Sequence, residues 1–208
     1  MATDSPTTTS RRPSRRGLIV DAAIKVFSSQ GFSDASVHDI AGAAGVAPTA
    51  VYYHFTGKPE LFEAALGQVL GAITNVVTTV RGDEVPGGPD ELAGVINAVW
   101  AWLDDNPASC LLLYHHLPGM TTRAVRLQHE FEQYHLQRAF DYLPTRPVPT
   151  TRRSAIGKRA AETLAVRTII GVLILIHSMR GQDGPLAARA DRQVRDSLIG
   201  VCWRILRR

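Results

Sequence analysis

The chain has 208 residues, 45% apolar and 20% charged, with a formal net charge of +4; this supports a packed body, argues against disorder, and suits a small domain joined to a larger one. The basic excess does not single out a nucleic-acid face, because residues 1–60 carry six Lys/Arg against five Asp/Glu, so only a motif can make that case. No stretch approaches the roughly 20 apolar residues of a membrane span, no apolar leader is present, and Cys110 and Cys202 form no CxxC pattern, which leaves a cytoplasmic protein with two buried thiols as the expectation.

Residues 1–13, rich in Thr, Ser and Pro, read as a mobile tail. Arg11 and Arg12 in it, with Arg15 and Arg16 just beyond, are either solvated or form an arm that reaches phosphates or a minor groove. From Ser14 onward, Leu18, Ile19, Ala22, Ala23, Val26 and Phe27 recur at helical spacing, and Gly31 is placed to stop that helix. Ser36 offers an N-cap hydroxyl to a short second helix with Val37, Ile40, Ala41 and Ala44 inward, ended by Gly45. After a three-residue turn, Pro48 suits the first turn of a third helix, whose inward side is Val51, Tyr52 and Phe55. Beyond Gly57, Lys58 and Pro59 open a longer fourth helix carrying Leu61, Phe62, Ala65, Leu66, Val69, Leu70 and Ile73 on one side.

The Gly- and Pro-rich segment Gly82 to Pro89 reads as a loop. Helices are expected near Asp90 to Asp104, Pro107 to His116, Thr122 to Tyr142, Ser154 to Arg180 and Ala190 to Leu206, with Thr145 to Thr151 a loop containing two prolines. Neither the apolar alternation of strands nor an internal repeat occurs, so the fold class is all-α. An N-terminal three-helix unit over 14–60 precedes a larger helical unit over 61–208.

Two short helices joined by a turn at Gly45 make a helix-turn-helix, in which the second helix lies in the major groove. Its outward residues Pro48, Thr49, Ala50 and Tyr53 are mostly short, and Thr or Ala can meet a thymine methyl. With no Arg, Asn or Gln on that helix, readout rests on apolar contacts, Thr49, His38 and DNA shape.

The run from Ser36 to Leu66, SVHDIAGAAGVAPTAVYYHFTGKPELFEAAL, closely resembles the DNA-binding signature of the tetracycline-repressor (TetR) family. Matching positions include Ser36-Val37, Ile40-Ala41, Ala44-Gly45-Val46, Tyr52, His54-Phe55, Lys58, Glu60 and Leu61. The resemblance implies a bacterial homodimeric regulator of transcription, a repressor released by a small-molecule effector, with no cofactor. It further implies that Ser36, Tyr52, His54 and Lys58 contact phosphates, while His38, Pro48, Thr49, Ala50 and Tyr53 face bases or the groove wall. Pro48 and Ala50 depart from the pattern, since the family often has a polar or basic residue and a Thr there.

In the second half, Trp100, Tyr114, His115, Met120, Phe131, Tyr134 and His177 are the effector-binding candidates, as polar or aromatic groups among apolar neighbours. The apolar helix around Leu164 to Met179 and the stripe Val194, Leu198, Val201, Cys202, Ile205 and Leu206 suit burial by a second subunit, which would place two recognition helices on a near-palindromic operator in double-stranded DNA. An enzyme finds little support: Glu132 and His135 supply a single ExxH spacing where a di-iron bundle needs two, so no metal site is expected. A dimeric helical module acting through a protein partner is the alternative, kept open by the unbasic recognition helix.

Overall fold

A computed structural model of the chain describes residues 14–81, 88–116, 121–139, 152–180 and 190–206. The expected tail 1–13, most of the Gly82 to Pro89 loop, the Thr145 to Thr151 loop and Met120 lie outside the described residues. The helices in chain order are α1 (Arg15–Asp34), α2 (Val37–Ala44), α3 (Pro48–His54), α4 (Lys58–Arg81), α5 (Pro89–Asp105), α6 (Pro107–His116), α7 (Thr122–Ala139), α8 (Arg152–Met179) and α9 (Asp191–Leu206). No strand occurs among the described residues. The fold is all-α, with a helix-turn-helix unit at the N-terminal end and a larger helical body after it.

Local chemistry sets the first elements. The Ser14 hydroxyl accepts the Gly17 N–H at 3.1 Å and starts α1. Gly31, expected to end the helix, instead breaks it internally: φ is +77° and ψ 173°, and helix resumes to Asp34. No heavy atom lies within 4 Å of a Cβ built there, so the requirement for glycine comes from the backbone alone.

The break brings Phe32 back beside Phe27, and Phe62 of α4 completes the cluster. Phe62 meets Phe27 edge-on at 5.4 Å and Phe32 at 5.2 Å, arrangements favoured by the ring quadrupoles. Leu61, Phe62, Ala65 and Leu66 at the start of α4 are fully buried, and α4 packs on α1 there. The same helix continues without interruption into the body, where Val69, Leu70, Ile73 and Val77 are buried and α5 and α7 are its neighbours. Helix α6 packs against α1 as well, so among the described residues both α4 and α6 join the units.

One expectation needs correction. The stretch Lys58–Val80, with mean hydropathy 1.3, is long and apolar enough to cross a membrane by length and composition. Its apolar side is consumed inside the protein by α1, α5 and α7, so its hydrophobicity is accounted for by the core.

Phe62→Ala should cost about 3–5 kcal/mol, as removal of a large core aromatic does, read from urea denaturation. A loss below about 1 kcal/mol would show that the aromatic cluster does not hold α4 to α1.

Candidate functional site

The turn between α2 and α3 is built from three local devices. Ser36 caps α2 reciprocally: its Oγ accepts the Asp39 N–H at 3.1 Å, while Asp39 Oδ2 accepts the Ser36 hydroxyl at 2.6 Å and its backbone N–H at 3.0 Å. Those hydrogen bonds, the hydroxyl's first, hold the Asp39 carboxyl below the ordinary carboxylate range. At the other end Gly45 adopts the left-handed conformation with φ +66°, and the Val46 N–H returns to Ala41 O at 3.0 Å, closing the helix. Ala41 and Val51 are buried where α2 and α3 meet, as the small residues at those positions predict. Pro48 then opens α3, in line with its missing N–H.

This construction turns one face of α3 outward. Tyr53 is 85% exposed and Tyr52 58%; Thr49 and His38 are also exposed, and Ser36, Pro48, Ala50 and His54 are half-buried. The Tyr53 and His54 rings meet edge-on at 5.0 Å. Tyr52, read from sequence on the inward side of α3, points out, whereas Phe55 is core, at 2% exposure. Thr49, Tyr52 and Tyr53 thus present one exposed face of α3, while Phe55, which follows the helix, is core.

Two cations near this surface are tied to the protein in ways the sequence did not reveal. Lys58 Nζ donates to Ser33 O at 2.9 Å and lies 4.9 Å from the Phe32 ring centroid. It thereby bridges the start of α4 to the end of α1. The Arg16 guanidinium lies over the Phe55 ring at 4.8 Å, so this arginine belongs to the packed unit and not to a solvated tail. Arg11 and Arg12 lie outside the described residues. At the α3–α4 turn, Glu60 Oε2 accepts the Thr56 N–H at 2.7 Å and hydroxyl at 2.8 Å, which lowers its pKa.

The effector candidates fall into three groups. Trp100 is fully buried, and its ring meets His177 at 5.0 Å; its Nε1 has no hydrogen-bond partner among the described residues. Phe131 and Tyr134 flank His135 on α7 at 4.3 and 5.1 Å, and His135 Nε2 lies 3.2 Å from Thr74 Oγ1 on α4. Tyr114 and His115 form a ring pair at the end of α6, both exposed. Elsewhere, an open groove of about 410 Å³ between α7 and α8 is lined by Val125, Gln128, His129, Glu132, Arg167, Ile170 and Gly171; it contains none of the nominated residues. Glu132 pairs there with Arg167 at 2.7 Å, so the two members of the ExxH spacing serve different partners. No cluster of three or more metal-ligating side chains occurs among the described residues.

At the far end of the chain, Val194, Leu198 and Cys202 are buried within the subunit. That leaves Val201 on α9 and Leu164, Leu175 and Met179 on α8 as exposed apolar positions.

Comparison with known proteins agrees with this geometry. The sequence profile of "Bacterial regulatory proteins, tetR family" matches residues 19–65. The HTH-type transcriptional regulator SrpR of Pseudomonas putida is 53% identical over 51 residues, a match spanning 24% of this chain and 24% of SrpR. The HTH-type transcriptional regulator BetI of Brucella anthropi is 28% identical over 190 residues, covering 88% of this chain and 91% of that protein. A crystal structure of a tetR-family transcriptional regulator from Streptomyces coelicolor superposes with a TM-score of 0.65 at 21% identity, covering 92% of this chain and 79% of that one; it establishes the shared fold of both halves. The strong sequence likeness is thus confined to the helix-turn-helix unit.

Ser36→Ala should lower stability by about 0.5–2 kcal/mol through loss of the cap, measured by thermal unfolding, while Thr49→Ala on the exposed face should change it by less than about 0.5 kcal/mol. Equal losses would mean that the cap is not what orders α2.

Proposed function

Since this chain belongs to the tetR family of bacterial regulatory proteins, a family of transcription regulators and not of enzymes, we propose that it represses transcription. It binds a near-palindromic operator as a homodimer and is released when a small-molecule effector occupies the helical body. The observation that carries this reading is the single exposed surface formed by Thr49, Tyr52 and Tyr53 on a helix set by Gly45 and Pro48. Residues 14–60 act as the DNA-binding unit and 61–208 as the sensing and dimerising unit, in the bacterial cytoplasm.

In this reading Ser36, Tyr52, His54 and Lys58 position the protein on phosphates, and His38, Pro48, Thr49, Ala50 and Tyr53 face bases or the groove wall. Lys58 holds Ser33 O with one of its three donors, so it positions α1 while meeting phosphate. The fully buried indole N–H of Trp100 and the Thr74–His135 pair supply polar handles for an effector inside the body.

Dimerisation uses α8 and α9. Leu164, at 66% exposure, falls with Leu175 and Met179 on one side of α8, since offsets of 11 and 15 residues return to within about 20° and about 60° of its helical angle. A two-fold pairing there places the recognition helices roughly 34–36 Å apart for adjacent major grooves. The family's effector mechanism then requires an effector that binds the DNA-competent and released states with different affinity.

The decisive experiment measures binding of the purified protein to DNA from upstream of its own gene at about 50 and 200 mM salt. Tight binding that weakens steeply with salt, and about tenfold in Tyr52→Phe, is the expected result; a lost hydrogen bond to a charged phosphate is worth about that much. Weak binding insensitive to salt and to that substitution would instead favour a module acting through a protein partner, the reading encouraged by a recognition helix without Arg, Asn or Gln.

For the dimer, Leu164→Arg with Leu175→Arg should convert the particle to a folded monomer in sedimentation equilibrium. A double variant that stays dimeric would place the interface elsewhere.

A further inference from the structure

His177 stands near the end of α8 with 7% of its surface exposed, and both ring nitrogens are engaged. Nδ1 lies 3.2 Å from Cys110 Sγ on α6, and Nε2 lies 3.0 Å from Asp104 Oδ1 at the end of α5. The protons along this chain can be assigned. Burial pushes the Cys110 thiol up to about 11, so the sulfur keeps a hydrogen that it can donate to Nδ1. An ionised carboxylate only accepts, so Nε2 carries the ring proton. With both roles filled in this way the imidazole is neutral and links three helices through one tautomer.

Burial makes a second proton costly, and the nearby carboxylates offset only part of that cost. Asp104 is already paired with Arg180, which also bonds Asp191 of α9 at 2.9 Å and lies over the Trp100 ring at 5.3 Å. Much of the Asp104 charge is thus spent on a guanidinium before an imidazolium could use it. Among the described residues, the charged and titratable groups around His177 are Asp104 from α5, Cys110 from α6, Arg180 just after α8 and, beyond it, Asp191 from α9. Helix α7 meets α8 ten residues earlier, where Glu132 pairs with Arg167.

We propose that Cys110, His177 and Asp104 form a proton-operated latch: neutral His177 holds α6 to α8, and its protonation frees α6. A proton on Nδ1 sets an N–H against the thiol hydrogen, and the sulfur, only a weak acceptor, gives little in return. Helix α6 is also a body helix that packs on α1, so the latch links acidification to the placement of the DNA-binding unit. That last consequence rests on the function proposed above; the latch itself does not.

The sign follows from linkage. Desolvation lowers the His177 pKa below its ordinary value of 6.5, against an opposing pull from Asp191. The latched form binds fewer protons than the open one, so its stability is complete above about pH 6.5 and declines as pH falls below it.

Two measurements on the full chain without DNA test the latch. The first is the ¹⁵N spectrum of the histidine rings, in which His177 should show a neutral, Nε2-protonated ring at pH 7.5. A charged ring or the Nδ1-protonated tautomer at that pH would overturn the proposal. The second is amide exchange of residues 107–116 at pH 7.5 and 5.5, each corrected for intrinsic exchange. Protection of α6 should fall at least tenfold more in the wild type than in His177→Gln, which cannot titrate. Cys110→Ala should leave α6 weakly protected at both pH values. An equal fall in wild type and His177→Gln, or one spread evenly over all helices, would refute the latch. If His177→Gln does not fold, the Cys110→Ala comparison and the tautomer decide. Because neither measurement uses DNA, failure of the latch and failure of operator binding remain distinguishable.

Discussion

The edge-on packing of Phe62 against Phe27 and Phe32 fixes the first turns of α4 to the end of α1, and the rest of the architecture inherits that constraint. Since α4 runs without a break from Lys58 to Arg81, whatever direction the aromatic cluster imposes on its start is carried about 1.5 Å per residue into the body. A tilt of the helix-turn-helix unit therefore carries α4 with it or repacks α1 against α6. Gln68 Nε2, which bonds Asp21 on α1 at 2.7 Å, adds a polar tie beside the apolar one.

The body answers with polar links of its own. Thr121 donates to Glu63 on α4 at 2.6 Å while accepting the Ala124 N–H that starts α7, and Arg123 stands 3.7 Å from the same carboxylate. Further along, Thr74 donates to Leu70 O and so receives the His135 N–H. Helices α4 and α7 are thus registered at two levels by groups with fixed donor and acceptor roles. Apolar contacts alone tolerate sliding; a hydrogen bond left unmade in a half-buried site costs about 1–3 kcal/mol and does not. The chain uses hydrophobic area to assemble the bundle and a few polar pairs to choose its register.

What the sequence disclosed follows the range of each interaction. Ser14, Ser36, Gly45 and Pro48 act on neighbours within a few residues, so their roles as caps and turns could be read from spacing, and α2 and α3 fall where periodicity placed them. Long-range pairings left no such mark. Nothing about Lys58 announces Ser33 as its acceptor, and nothing about Arg16 announces Phe55. His177 stood out as polar among apolar neighbours, yet its partners Cys110 and Asp104 are 67 and 73 residues away, and each looked unremarkable alone. Tyr52 was assigned to the inward side because a helical stripe does not distinguish its edge from its centre. The apolar length of α4 was missed because its interspersed Gly, Gln, Thr and Asn hid a high average behind the absence of any long run.

Gly31 and Gly45 share an uncommon combination: each has a positive φ, and neither has a heavy atom within 4 Å of where a side chain would begin. An L side chain would find room there but would strain the backbone, whereas a residue of the mirror form adopts a positive φ without strain. A D-alanine introduced by chemical synthesis at either position would adopt that φ readily and would favour the turn in the unfolded chain too, narrowing what must be ordered on folding. The two turns that shape the DNA-facing unit are thus limited by the handedness of the ribosome's building blocks, not by crowding.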